Sequence, residues 1–426
     1  MAGGRIYQRP VRLKRAPGLP MTKAMSRRLD VRSDPSQPHA AGALPGTLAP
    51  SRERIRYLRP DLPSLDELSR YYALSEERRW YSNRGPCNER FAKGIADYIG
   101  DVLCTPVSNC TQGLMVALSA TCGEPEGDRR LIAVPSFTFT ASACAIKWAG
   151  FEPLFVDIEP DSFQMDAGAL AAALDAHEGR VAGVLGCSTF GTPAPSATRQ
   201  GWRDACARHG LPLVIDSAAG FGALDDRGVQ LGGQGETEVF SFHATKPFAI
   251  GEGGAIVTRQ PAIAERIERL INFGIDPTLS ASSVAGLNGK LSELHCAMGL
   301  AMLDRFPESL ARRRLTAAAL QAAVVSHPLR YQKGAEGSTW QGFHVLFASA
   351  KLRARAVDLA RQELVEVRKC FDPPVHRHPA FASMPHGGLG ETERIAARSL
   401  TFPMANQLGP RQIERIAELV DLIFAA

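Results

Sequence analysis

A chain of 426 residues is longer than one hydrophobic core usually supports, so we expect more than one folded domain. Its hydrophobic fraction of 45% is typical of a globular protein, and no apolar run approaches the roughly 18 residues that a membrane helix needs. The net charge of +5 does not indicate a nucleic-acid partner, because residues 1–50 contain nine Lys/Arg against two Asp/Glu and the remaining chain is close to neutral.

Residues 1–50 are rich in Arg, Pro, Gly and Ala and have neither helical nor strand periodicity. Such a composition predicts a disordered basic tail. The tail lacks the apolar core of about 7–15 residues that a secretory signal contains. An Arg-rich transit peptide, or a start of translation at Met21 or Met25, are the alternatives.

Nine cysteines occur in the chain, and none forms a Cys-x-x-Cys pair or the spacing of a metal site. Their number is odd, and several lie in apolar runs. Because disulfides are rare where thiols are kept reduced, this pattern favours free thiols in a cytoplasmic protein without a bound metal.

The ordered chain is predicted to begin near Leu58 with two helices. Residues 66–72 have the pattern of a short helix, and residues 89–99 that of a second helix capped by Asn88. The cluster from Tyr81 to Pro86 between them is rich in turn-forming residues.

From residue 102 onward, short apolar strands alternate with helices. The strands are predicted at 102–107, 131–134, 154–158, 181–185, 213–215, 239–242 and 255–258, and the helices at 112–122, 141–148, 167–174 and 199–208. This alternation predicts an α/β fold with a mainly parallel sheet covered on both faces by helices. We assign this large domain to residues 51–305.

Residues 306–426 are predicted to form a smaller C-terminal α+β domain. Its expected helices cover 310–325, 357–363 and 413–424, and a strand covers 343–347.

The residues that follow each strand matter most, because ligands of a parallel sheet bind beyond the carboxyl ends of its strands. Ser108 to Thr111 follow the first strand and start a helix, which suits either a phosphate or an ordinary N-cap. Phe137 and Phe139 follow the second strand and are either core residues or part of a site.

Two later strands are followed by charged residues. Asp216 ends an apolar strand and needs a cationic or hydrogen-bonding partner there, although a helix cap or a buried salt bridge would also explain it. Ser241 begins a segment that leads to Lys246, on a turn between Pro247 and the glycines at 251–254. An amine held on such a turn can form a Schiff base with an aldehyde.

Together these positions form one set at the strand ends. Cys110 and Thr111 would cradle a phosphate, Phe139 would stack on a ring, Asp216 would hold a ring nitrogen protonated and Ser241 would bind the phosphate. With Lys246 as the amine, these are the groups that pyridoxal 5′-phosphate (PLP) requires.

The sequence resembles the DegT/DnrJ/EryC1/StrS family of nucleotide-sugar aminotransferases, a fold type I group of PLP enzymes, from about residue 62 to the C-terminus. The resemblance lies in seven segments: Ser108-Asn109-Cys110-Thr111, Val134-Pro135-Ser136-Phe137-Thr138-Phe139, Phe155-Val156-Asp157-Ile158, Asp216-Ser217-Ala218-Ala219, Phe240-Ser241-Phe242-His243-Ala244-Thr245-Lys246 with Gly251-Glu252-Gly253-Gly254, Gly286-Leu287-Asn288-Gly289-Lys290-Leu291-Ser292-Glu293-Leu294, and Pro373-Pro374-Val375-His376-Arg377.

The resemblance implies specific roles for these residues. Lys246 would form the Schiff base and move protons, and Asp216 would pair with the ring nitrogen. Phe139, rather than Phe137, would stack on the ring. Asn288 would reach the phosphate in a neighbouring subunit, which implies a homodimer with shared active sites.

The chain departs from the family pattern at two positions near the aspartate. Ala219 replaces a glutamine that contacts the phenolic oxygen of the ring, and Phe221 replaces a histidine. A lost side-chain hydrogen bond of this kind costs about 1 kcal/mol, so we expect activity to be retained.

The function that the resemblance implies is amination of a nucleotide-linked keto-(deoxy)hexose by L-glutamate, for deoxyamino-sugar biosynthesis. A dTDP-4-keto-6-deoxy sugar or its 3-keto isomer is the expected acceptor. The alternatives are a keto-cyclitol aminotransferase and a PLP-binding regulatory protein without turnover. Tyr81, Asn83, Gly85 and His376 are the expected sugar-pocket residues.

Overall fold

The computed structural model describes residues 53–406 and 408–425. The predicted tail over residues 1–50 lies outside these residues. Within the described part of the chain, no helix combines the length and apolarity needed to cross a bilayer.

A seven-stranded sheet forms the centre of the fold, in the order β1-β7-β6-β5-β4-β2-β3. Strands β2 to β6 are parallel, whereas β7 is antiparallel to both of its neighbours, β1 and β6. The strands are β1 (Leu103–Val107), β2 (Leu131–Pro135), β3 (Glu152–Val156), β4 (Val181–Cys187), β5 (Leu213–Asp216), β6 (Thr237–Ser241) and β7 (Gly254–Thr258). The predicted mainly parallel sheet is therefore confirmed.

Successive strand residues point to opposite faces of this sheet, and in these strands both sets are apolar. Helices therefore cover both faces. In β2, Ile132 and Val134 pack in one core cluster, and Leu131 and Ala133 pack in another. The helices of this region are α1 (Leu65–Arg78), α2 (Pro86–Ile99), α3 (Cys110–Cys122), α4 (Thr140–Trp148), α5 (Ala167–Ala176), α6 (Ser196–Arg208) and α7 (Pro261–Leu270).

The predicted cap of α2 is wrong. The helix begins at Pro86 with Gly85 as its N-cap, since proline is well suited to the first helical position. Asn88 lies inside the helix, where its backbone N–H donates to Glu293 Oε1 at 3.0 Å.

The C-terminal part contains a two-stranded antiparallel sheet and four helices. A short hairpin, β8 (Ile275–Asp276) and β9 (Ala281–Ser282), precedes it. The elements are α8 (Glu293–Ala323), β10 (Phe343–Leu346), α9 (Ala350–Gln362), α10 (Gly390–Ala396), β11 (Ser399–Phe402) and α11 (Pro410–Phe424). The boundary that we place between residues 305 and 306 falls inside α8, and the division into two domains stays a prediction.

The segment before α1 packs with this C-terminal part. Ile55 pairs with Val365 in a short parallel bridge, and its buried side chain belongs to the same core cluster as Phe402 and Ile416. Tyr57, two residues further along this segment, is buried as well.

Candidate active site

A cavity of about 710 Å³ lies at the carboxyl ends of the parallel strands. Residues that follow β1, β2, β4, β5 and β6 line it, as expected for a ligand site in a parallel sheet. The structure brings six predicted site residues together in this lining: Cys110, Thr111, Phe139, Asp216, Ser241 and Lys246.

The start of helix α3 forms one wall of the cavity. Asn109 caps the helix by accepting a hydrogen bond from Gln112 N at 2.9 Å. The N–H groups of Cys110 and Thr111 precede this contact and have no acceptor within the helix, so they can bind an anionic group. The helix can start so close to β7 because residue 254 is glycine: a Cβ there would lie 3.0 Å from Cys110 N and 2.6 Å from the Phe240 oxygen.

Asp216 ends β5 as a buried carboxylate at the cavity wall. Ser142 Oγ donates to its Oδ2 at 2.7 Å, and Ala218 N donates to its Oδ1 at 3.0 Å. Burial raises the pKa of Asp216, while these two hydrogen bonds and the nearby Lys246 ammonium act to lower it. Two fixed donors thus orient a carboxylate toward a site where a cation would stabilise its charged form.

Lys246 lies on the turn after β6. Its backbone N donates to the His243 oxygen at 2.9 Å, and Ala244 N donates to the Gly251 oxygen at 2.7 Å. These two backbone hydrogen bonds fix the conformation of the turn. Burial lowers the pKa of the Lys246 amine, although the Asp216 carboxylate acts to raise it. The amine is therefore more easily neutral, and more nucleophilic, than a lysine in water.

Two thiols near this amine stay protonated. Burial raises the pKa of Cys110 far above its usual value, and it also raises the pKa of Cys370. Both residues line the cavity.

The two phenylalanines after β2 occupy different environments. Phe137 is completely buried and makes edge contacts with Phe163 and Phe371. Phe139, the N-cap of α4, lines the cavity and is 64% exposed. The ring of Phe139 is thus the one of this pair that is available to stack on a ligand.

The two departures from the family pattern have different surroundings. Ala219 lines the cavity, and its backbone oxygen accepts a hydrogen bond from Thr339 Oγ1 at 2.7 Å. Phe221 packs instead in an aromatic core cluster with Phe248 and Phe306. Only the alanine therefore alters the surface that faces a ligand.

The structure does not bring the predicted sugar-pocket residues to this cavity lining. Tyr81 and Gly85 lie beside the start of α8, where the Tyr81 oxygen accepts from Glu293 N and a Cβ on Gly85 would meet the Glu293 carboxylate at 2.8 Å. Asn83 is exposed in the same turn. These residues belong to the connection between α1 and α2, in which Tyr81 and Asn83 are exposed and Gly85 is buried. Their role in a sugar pocket stays a prediction.

His376 is also held away from the cavity lining. Its Nδ1 lies 2.7 Å from Ser136 Oγ, and its Nε2 lies 2.9 Å from Glu393 Oε1. These contacts attach the proline-rich loop to the end of β2 and to α10. Asn288 is exposed beside Asn272 and does not line the cavity of its own chain.

The sequence reasoning missed the residues that the N-terminal segment and the C-terminal part bring to the cavity. These are mainly Tyr57, Gln341, His344, Arg368 and Phe371. In the sequence, Ile55 and Tyr57 alternate with Arg54 and Arg56, a strand signal that could have placed Tyr57 in the fold.

The chemistry of this donor set fits PLP. The helix start and the Ser241 hydroxyl suit a phosphate, the amine suits an aldehyde, and the carboxylate suits a protonated ring nitrogen. An exposed aromatic ring lies at the same cavity.

Comparisons with known proteins agree with this chemistry. A model of the DegT/DnrJ/EryC1/StrS aminotransferase family matches residues 66–421. A Mycobacterium tuberculosis protein, whose name states no activity, is 35% identical over 395 residues, which cover 90% of this chain and 95% of that protein.

Two solved structures have the same fold. DesI, determined in the presence of its TDP-sugar product, has a TM-score of 0.79 and 33% identity and covers 87% of this chain and 92% of its own. A Bacillus cereus protein, a candidate PLP-dependent aminotransferase, has a TM-score of 0.80 and 28% identity and covers 87% of this chain and 100% of its own.

Proposed function

Because the chain belongs to the DegT/DnrJ/EryC1/StrS aminotransferase family, we propose that it transfers the amino group of L-glutamate to a nucleotide-linked keto-(deoxy)hexose. It is a PLP-dependent aminotransferase. The acceptor that we propose is a dTDP-4-keto-6-deoxy sugar or its 3-keto isomer, for deoxyamino-sugar biosynthesis. The observation that supports this function best is that Lys246, Asp216 and the start of α3 line one cavity.

Several residues would hold the cofactor in place. PLP supplies an aldehyde that binds amines and a ring that withdraws electrons from them. The N–H groups of Cys110 and Thr111 and the hydroxyl of Ser241 would bind its phosphate, and Phe139 would keep its ring flat. Asp216, oriented by its two donors, would keep a proton on the ring nitrogen.

Lys246 would move the protons of the reaction. Its Nζ would take the proton from the α-carbon of L-glutamate and later return a proton to the carbon of the sugar that receives the amine. An amine can act as a base only when it is neutral, and the burial that lowers the pKa of Lys246 favours this form.

A second copy of the chain would complete the site. Phe139 and Trp148, at the two ends of α4, are 64% and 77% exposed. Phe273, just before β8, and Leu279, between β8 and β9, are exposed as well. Large apolar side chains that are exposed to solvent favour contact with another protein. A homodimer would cover them and would bring Asn288 of the partner subunit to the phosphate.

Shared active sites make a quantitative prediction for mixed dimers. Lys246→Ala and Asn288→Ala subunits should each be weakly active alone. When the two are co-expressed, half of the dimers are mixed, and each mixed dimer has one intact site of two. Co-expression should therefore restore about one quarter of wild-type activity. Tagged subunits purified in sequence would allow the mixed dimer to be assayed. Activity no higher than the mean of the two variants would show that Asn288 does not act across subunits.

The proposed substrate class is tested by a product assay. The protein, loaded with PLP, would receive L-glutamate and a panel of dTDP-, UDP- and GDP-linked 4-keto and 3-keto sugars, with scyllo-inosose as a carbocyclic ketone. We expect mass spectrometry to detect an amino sugar and 2-oxoglutarate with at least one dTDP-linked acceptor. Amination of scyllo-inosose alone would assign the protein to cyclitols, and a cofactor spectrum that L-glutamate leaves unchanged would favour a regulatory protein.

A further inference from the structure

Among the residues that the structure describes, the cavity lining contains one arginine, Arg368. The other charged lining residues are Asp216, Lys246 and Glu252. Lys246 and Asp216 have roles toward the cofactor, and Glu252 is an anion. Arg368 is therefore the cation of the lining that stays available for a substrate.

The guanidinium of Arg368 lies over an aromatic ring. Its Cζ is 5.4 Å from the centroid of the Tyr57 ring, a distance at which a cation is attracted to the ring face. The Arg368 backbone is fixed as well, because its N–H donates to the Thr401 oxygen and its own oxygen accepts from Thr401 N.

Tyr57 is held firmly enough to position this arginine. Its side chain is only 8% exposed, and its backbone N donates to Glu366 Oε2 at 3.1 Å. Thr401 of β11 pairs with Arg368 in a short antiparallel bridge. The N-terminal segment and β11 thus support the arginine together.

The carboxylates nearest to Arg368 along the chain have other partners. Asp372 accepts a hydrogen bond from Arg353 at 2.6 Å, and Glu366 accepts from Tyr57 N. Within residues 53–406 and 408–425, Arg368 forms no ion pair. Its N–H donors, arranged in a planar fork, match the oxygens of a carboxylate or a phosphate.

We propose that Arg368 binds an anionic group of a substrate at the mouth of the cavity and that Tyr57 is its positioning residue. The proposal rests on the proposed function, in which the donor is a dicarboxylate and the acceptor carries a diphosphate. In either case the guanidinium of Arg368 would bind an oxyanion. This oxyanion is either a carboxylate of the amino donor or the diphosphate of the sugar acceptor.

Binding measurements on the PLP-loaded protein test the proposal and separate these sources. Calorimetric titrations with glutarate report on the carboxylate, and titrations with dTDP report on the diphosphate. We expect Arg368→Gln to weaken one of the two probes by about tenfold to hundredfold, because it removes a charge-assisted hydrogen bond. Binding of that probe to wild type should weaken as salt is added.

Matched variants distinguish binding from a general effect of charge. Lys369→Gln removes the adjacent, exposed cation, which does not line the cavity, and should leave both dissociation constants within about twofold. Arg368→Lys keeps the charge but loses the fork, so it should bind with intermediate affinity. Tyr57→Leu should weaken the same probe as Arg368→Gln does, whereas Tyr57→Phe keeps the ring and should restore binding.

The proposal would be overturned if wild type and Arg368→Gln bound each probe with equal affinity. It would also be overturned if wild type bound neither glutarate nor dTDP. These titrations do not depend on turnover. A protein that binds a probe through Arg368 but aminates none of the panel sugars would refute the proposed function and leave this inference intact.

Discussion

Replacing Lys246 by alanine should lower the rate of amino transfer by about 10⁴-fold or more, because the change removes both the amine that binds the cofactor and the base that moves the proton. Formation of 2-oxoglutarate from L-glutamate measures the loss. Lys147→Ala serves as the matched control, since Lys147 is exposed on α4 and does not line the cavity. A Lys246→Ala protein with the control's rate would refute the assigned role.

The stability of the cofactor-free protein gives a second measurement that needs no activity. The pKa of Lys246 is lower in the folded chain than in the unfolded chain, so the unfolded chain binds more protons between the two values. Burial of this lysine therefore lowers the free energy of unfolding most at pH values below its pKa in the folded chain. This loss of stability disappears as the pH rises toward the pKa of lysine in the unfolded chain, about 10.4. The stability advantage of Lys246→Met over wild type should shrink with rising pH, and a constant difference would contradict the burial argument.

Replacing Asp216 by asparagine should lower kcat by about 10²- to 10⁴-fold while the fold is retained. The carboxamide is close in size to the carboxylate but carries no charge, so it cannot favour a proton on a ring nitrogen. Steady-state assays with L-glutamate measure the effect, and the absorbance of the bound cofactor shows whether binding survives.

Two further variants determine how Asp216 acts. Ser142→Ala removes one donor to the carboxylate but keeps its charge, so it should cost only about tenfold. Asp216→Glu keeps the charge and should retain more activity than Asp216→Asn. If Asp216→Asn were as active as Ser142→Ala, the negative charge would have no part in the reaction.

The alternation of apolar strands and helices was sufficient to predict the central sheet and the edge at which ligands bind. Runs such as Leu131–Pro135 are apolar throughout, as a strand buried on both faces must be. The polar residues just beyond these runs, among them Asp216 and Ser241, met in one cavity for the same reason.

Features that depend on distant contacts could not be predicted in this way. Tyr57 and Arg368 are 311 positions apart and meet only because Ile55 pairs with Val365. Helix α8 begins 17 residues before the predicted start at Leu310, and Pro307 lies inside it, although proline usually ends a helix. The contacts of α8 with other helices outweigh this local preference.

The surroundings of the tyrosine and histidine proposed for the sugar pocket could not be predicted for a similar reason, and their role there stays a prediction. Tyr81 and His376 stand in loops, and the position of a loop follows from what it packs against rather than from its own sequence. Tyr81 contacts the backbone of Glu293, and His376 contacts Glu393, each of which lies far away along the chain or in another element.

The protonated thiols of Cys110 and Cys370 have a consequence for selectivity among nucleophiles. Sulfur attacks carbonyl carbons as the thiolate, and burial raises the pKa of both thiols. Neither cysteine can therefore compete with the lysine for an aldehyde or a ketone that enters the cavity. The thiol at the first turn of α3 is thus a neutral neighbour of the reacting amine.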